Sequence, residues 1–238
     1  MSRYCGTWAP LLAAGAALAL AASLTGCDAL GKLDTADHYP AATSFTVGSR
    51  VTTVIIDGGS GSVSVTGANR STVGISQQAS YSKTPPTARH ALSGTTLTLS
   101  YTCPAELSCG VSYTVAVPRA VAVRVSAGAG SITLTSLAGA VSAQTSAGLI
   151  TAADLRSAAV SLTAGAGGII ATCSAAPRSL RASTKLGPIT LTVPGKVAYR
   201  ISTHTFVGTS TVTVRRSATS PYAITTSSDL GSVSISPG

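Results

Sequence analysis

Between Val121 and Pro194 the chain repeats one short pattern four times: an alternating run, a glycine-rich corner, and a second short run. The corners read Gly130-Ser131-Ile132, Gly148-Leu149-Ile150, Gly168-Ile169 and Gly187-Pro188-Ile189. Their isoleucines lie 18, 19 and 20 residues apart. A period near 20 is the signature of a solenoid, in which one unit cannot bury its own apolar face and stacks on the next.

The runs before the corners have period 2. Val121, Val123 and Val125 alternate with Ala122 and Arg124, and Val141, Ala143 and Thr145 with Ser142 and Gln144. Val160, Leu162 and Ala164 alternate with Ser161 and Thr163, and Leu180 and Ala182 with Arg181 and Ser183. After the corners come Ile132/Leu134, Ile150/Ala152, Ile169/Ala171 and Ile189/Leu191. Successive strand side chains point to opposite faces, so these sets line one interior. The pattern predicts an all-β, single-domain β-solenoid with two strands per coil of about 18–20 residues. An antiparallel sandwich also fits turn-punctuated strands; the recurrence of strands and corners in one order and one phase favours the solenoid.

The ends are less regular. Residues 1–26 read as an export signal: a basic Met1-Ser2-Arg3, an apolar run from Leu11 to Ser23, then Leu24-Thr25-Gly26-Cys27. The run is shorter than the ~20 residues of a membrane-spanning helix. The tetrapeptide resembles the lipobox of bacterial lipoprotein precursors, which implies palmitate-type acylation of Cys27 and loss of Cys5 with the signal. Residues 27–43 are then a polar tether, and residues 44–238 the folded domain, held at the outer face of the cell membrane. From Ser44 to Val117 the strands are longer; Gly58 to Val63 resembles a further corner, and this part is expected to cap the N-terminal end of the stack. Ser82 to Ser93, with Pro85 and Pro86, reads as a surface loop. Beyond Pro194, Val197–Ile201, Thr211–Val214, Tyr222–Thr225 and Gly231–Ile235 continue the stack in chain order.

The charge balance is +9, or +8 once Arg3 is removed with the signal. It suits an anionic partner: an envelope polymer, an acidic polysaccharide or a lipid headgroup. Aligning the repeats puts Arg124, Ser142, Ser161, Arg181 and Arg200 in one outward column, with Arg181 and Arg200 on neighbouring coils. Arg124, Arg181 and Arg200 would form an anion-facing basic stripe, against the plainer reading of a solvated face. Cys103 and Cys109 bracket a five-residue loop, and outside the cytoplasm such a pair predicts a disulfide. Cys173 is left as a structural thiol.

No catalytic constellation stands out. His38, His90 and His204 are scattered, and none of the many serines sits in a nucleophile elbow. Asp57, Glu106, Asp154 and Asp229 do not recur at a common coil position, as a polysaccharide-cleaving site would require. Ligand spacing for a metal is missing, so neither metal nor cofactor is expected. Aromatic residues make up 4% of the chain, too few for the stacking platforms of nucleic-acid binders.

From about Ser44 to Ile235 the chain resembles a bacterial putative-adhesin family of β-strand-repeat lipoproteins, a domain of unknown function. The resemblance is carried by the Cys pair around Pro104, by Tyr113 to Pro118, and by Val123 to Ile132. Repeated corners and Val193-Pro194-Gly195 with Tyr199-Arg200 follow in the family's order. It implies a surface-displayed module with no catalytic residues. Members commonly place Asp just after the corner glycine; here Ser131, Leu149, Gly168, Pro188 and Ser232 stand there, so an acidic ladder does not carry over. The expectation is a lipid-anchored, non-enzymatic envelope β-solenoid serving as an adhesion-like surface. The alternatives are a carbohydrate-active enzyme using residues such as Asp154, Arg181 and Arg200, and a structural or envelope-stress component acting through another protein.

Overall fold

The computed structural model describes residues 41–48, 50–104 and 108–238. The signal, Cys27, Cys5, His38 and Glu106 lie outside the described residues. The N-terminal part comprises β1 (Ala41–Val47), β2 (Thr53–Ser60), β3 (Val63–Ala68), β4 (Val73–Tyr81), β5 (Thr87–Ser93), β6 (Thr96–Thr102) and β7 (Cys109–Pro118). The regular repeats supply β8 (Ala122–Ala129), β9 (Ile132–Thr135), β10 (Val141–Ala147), β11 (Ile150–Leu155), β12 (Ala159–Ala166), β13 (Ile169–Cys173), β14 (Ser179–Leu186) and β15 (Ile189–Val193). The C-terminal part contains β16 (Arg200–Val207), β17 (Ser210–Val212), β18 (Ala223–Leu230) and β19 (Val233–Pro237).

Each repeat sends its first strand to one sheet and its second to another. Sheet A runs β1-β4-β7-β3-β9-β11-β13-β15-β19-β17, and sheet B runs β16-β18-β14-β12-β10-β8-β2-β6-β5. Pairing from coil to coil is parallel throughout the repeats, which makes this a β-solenoid and rules out an antiparallel sandwich. Ile132, Ile150, Ile169 and Ile189 pair in direct register and are all fully buried, so the predicted spine exists. Fully burying such a side chain stabilises by about 1.5–3 kcal/mol. The opposing rows, Val123-Val141-Val160-Leu180 and Val125-Ala143-Leu162-Ala182, close the core from sheet B.

The corner glycines are required by both torsion and space. Gly148 has φ +145°, and a Cβ there would lie 2.2 Å from the carbonyl oxygen of Gly130 one coil away. Inward hydroxyls hold the same carbonyls: Thr145 donates to Gly130 O at 3.2 Å, and Thr184 to Gly167 O at 2.9 Å. These two threonines are buried and hydrogen-bonded, as interior polar groups must be.

The ends depart from chain order. The final strands β18 and β19 lie between the β14–β15 coil and the β16–β17 coil, so the last segment is inserted and the preceding one forms the end. Burial explains the exchange. Val233 and Ile235 of β19 fill an interior row, whereas the equivalent Ser210 of β17 is exposed and Val212 half-buried. The more polar coil occupies the position with only one neighbour, which is what a terminal repeat needs. At the opposite end β2–β3 lies inside β6–β7, and antiparallel β1, β4 and β5 cover the edges. Of the expected loop over Ser82–Ser93, residues 82–86 with Pro85 and Pro86 do lie outside any strand, but Thr87–Ser93 form β5, which pairs with β6 across the two-residue turn Gly94-Thr95. Its side chains are exposed on both faces, apart from a half-buried Ala88, so it carries no alternation to read.

Candidate functional site

Charge is segregated between the two sheets. Apart from Asp154 in β11, every charged side chain in the strands belongs to sheet B: Asp57, Arg89, Arg124, Arg181, Lys185, Arg200 and Asp229. All seven are exposed. The outward rows of sheet A over the repeats are hydroxyl-rich, as in Thr133, Thr151, Thr190 and Ser234, which lie on one row with Ile170.

On sheet B the register places Ile55, Arg124, Ser142, Ser161, Arg181 and Thr225 in one column. Arg124, Ser142, Ser161 and Arg181 thus fall together as the repeat alignment requires. Arg200 does not join them. The insertion of β18 separates it from β14, and it pairs with Ala223; Ser202 takes the column position. Arg181 and Arg200 are consequently not on neighbouring coils, and the three-arginine stripe reduces to Arg124 and Arg181. Three strand spacings separate these two, about 14 Å.

Two shallow depressions lie over β10 and β12, of about 270 and 720 Å³. The smaller is floored by Ser142 and Ser161 and edged by Arg124 and Arg181. The larger is floored by Gln144, Thr163 and Gly165 and edged by Lys185, Leu186 and Asp229. Outward residues on β10 and β12, all small apart from Gln144, create the low ground, and the long side chains of Arg124 on β8 and of Arg181 and Lys185 on β14 create its sides. Lys185 belongs to this surface, and the repeat reading passed over it because its column otherwise holds Gly128, Ser146 and Gly165. Among the described residues, the one ion pair within 4.0 Å is Arg156–Asp154 at 3.8 Å, so Arg124, Arg181 and Lys185 carry no such partner.

Asp154 lies on sheet A at a bulge, away from Arg181 and Arg200 on the outer face of sheet B, so those three do not form one site. His90 packs against Phe45 with ring centroids 4.5 Å apart, and His204 is exposed on β16. Among the described residues there is no group of three or more His, Cys, Asp or Glu able to hold a metal. Cys103 and Cys109 form the expected disulfide, with Cα atoms 5.8 Å apart. Cys173 is a buried free thiol whose pKa is pushed up to about 11 by burial.

No family model and no curated protein matches the chain. Solved structures do. A "putative cell adhesion protein" from Clostridium sporogenes aligns over 84% of this chain and all of its own, with 13% identity and a TM-score of 0.53. A "putative adhesin" from Bacteroides fragilis aligns over 84% of this chain and 97% of its own, at 15% identity and a TM-score of 0.37. One from Parabacteroides merdae aligns over 84% and 96%, at 8% identity and a TM-score of 0.38. At these identities the likeness to the Clostridium sporogenes protein establishes a shared fold.

Proposed function

We propose that the protein is a lipid-anchored, non-enzymatic module of the cell envelope, held at the outer face of the membrane through Cys27 and presenting the outer face of sheet B as an adhesion surface. The observation that carries this reading is the segregation of charge. Among the strands, every cation is exposed and belongs to sheet B, and no metal-ligand group is found among the described residues. A flat array of fixed side chains is suited to binding an extended partner, since holding the groups rigid lowers the ordering cost of association. The description of the Clostridium sporogenes neighbour as a "putative cell adhesion protein" is in keeping with this use of the fold.

Two measurements test it. Cys27→Ala should leave an unprocessed precursor without lipid, read by mass spectrometry of the membrane fraction; a normally processed, soluble product would refute the anchor. Cells displaying the intact protein should retain isolated envelope polymer or host glycan better than cells lacking it, and equal retention would refute the adhesion role. Release of sugar fragments from any such polymer would instead favour the enzyme.

A further inference from the structure

The two depressions on sheet B share their strands, and together they form one valley that runs along β10 and β12. Its floor is made of uncharged polar side chains: Ser142, Gln144 and Ser146 on β10, and Ser161 and Thr163 on β12. Arg181 and Lys185 stand on the β14 side, four residues apart and therefore about 13 Å apart along the strand. Arg124 stands on the β8 side, across the floor from Arg181. Leu186, 49% exposed, forms an apolar lip beside Lys185.

Resting on the reading of sheet B as an adhesion surface, we infer that this valley binds a linear acidic polysaccharide lying parallel to the strands, its carboxylate or sulfate groups paired with Arg181, Lys185 and Arg124. Each part of the valley matches a part of that ligand. The three cations have no carboxylate within 4.0 Å among the described residues, so an incoming anion does not have to displace an internal partner. Arginine recognises planar carboxylate and tetrahedral sulfate through paired N–H donors. The floor of hydroxyls and one amide offers donors and acceptors to sugar hydroxyls. Leu186 gives the C–H face of a sugar ring an apolar contact, which a bare phosphate chain would not use. Asp229 lies opposite Lys185 on β18, at the edge of the larger depression, and Asp57 opposite Ser126 on β2, whereas Arg181 has Thr225 and not a carboxylate beside it on β18.

The experiment uses the intact protein in detergent and titrates it with polygalacturonate, chondroitin sulfate, poly(glycerol phosphate) and neutral dextran, read by calorimetry. Binding is expected for the first two, weakening as ionic strength rises, and not for dextran. Arg181→Ser with Lys185→Ser should weaken binding at least about tenfold, the loss of roughly 1.4 kcal/mol. Arg200→Ser, on the same sheet but outside the valley, should leave the affinity unchanged, and unchanged melting temperatures would show that all variants fold. Equal loss in Arg200→Ser and the double variant would mean a diffuse positive field and overturn the site. Tighter binding of poly(glycerol phosphate) than of either glycan would overturn the ligand class. If cells displaying the double variant retain polymer as well as before, the valley is wrong while the adhesion role stands; if no displayed form retains polymer, the broader reading fails first.

Discussion

Ser174 donates a 2.6 Å hydrogen bond to Oδ1 of Asp154 on the neighbouring coil, while Ser136 on the other side donates to Oδ2 at 2.8 Å. Three successive coils are therefore joined through one carboxylate. Asp154 has φ +50°, a torsion that Asp tolerates better than most residues, and it sits at the bulge where β11 runs one residue longer than β13. The hydrogen bonds from Ser174 and Ser136, with lesser help from Arg156 and Arg119, hold its pKa below the ordinary carboxylate value against an opposing desolvation.

A depressed carboxylate stabilises the fold above its unfolded pKa, and the contribution is lost as pH falls through the folded value. Asp154→Ala should therefore lower the melting temperature at neutral pH. The gap between variant and wild type should shrink as pH drops below about 4. Thermal denaturation across that range checks it; a gap independent of pH would show that the charge plays no part.

Gly148→Ala should be among the most damaging single-methyl changes in the protein. The torsion alone costs about 1–3 kcal/mol, and overlap with the Gly130 carbonyl adds to it. Gly94, at φ +59° in the β5–β6 turn, has nothing within 4 Å of where a Cβ would stand. Gly94→Ala should cost only the left-handed torsion, about 1 kcal/mol. Urea denaturation of both variants gives the comparison, and equal midpoints would contradict it.

Cys173 should resist alkylation in the folded protein. It is 5% exposed, and burial raises its pKa to about 11, so the reactive thiolate is both scarce and shielded. Peptide mapping after iodoacetamide treatment should find Cys173 modified only when denaturant is present. Cys173→Ala should cost about 1 kcal/mol, the loss of one buried small group. Rapid native labelling would refute the packing.

The Cys103–Cys109 bond closes a short loop between β6 and β7. Replacing both residues by Ser should lower stability by about 2 kcal/mol in the chain-entropy model. The solenoid should still unfold cooperatively, since the spine of Ile132, Ile150, Ile169 and Ile189 does not depend on the bond. Denaturant midpoints and slopes distinguish this from global loss of structure.

The amino-acid pattern alone determined that the chain winds into two-stranded coils. Alternation places Val123, Val141, Val160 and Leu180 on one side, and glycine must occupy corners where Gly130 and Gly148 pass within van der Waals contact. Those constraints are local and repeat in every unit. Tertiary structure decided which coil lies beside which at the ends. Any coil of this pattern can pair with any other, so neighbours are chosen by how much apolar surface each buries: Val233 and Ile235 move inward, and Ser210 and Thr203 are left toward the end. That choice separated Arg200 from Arg181. The repeats themselves brought Lys185 into the same valley as Arg124, a relation among four strands that no stretch of sequence displays.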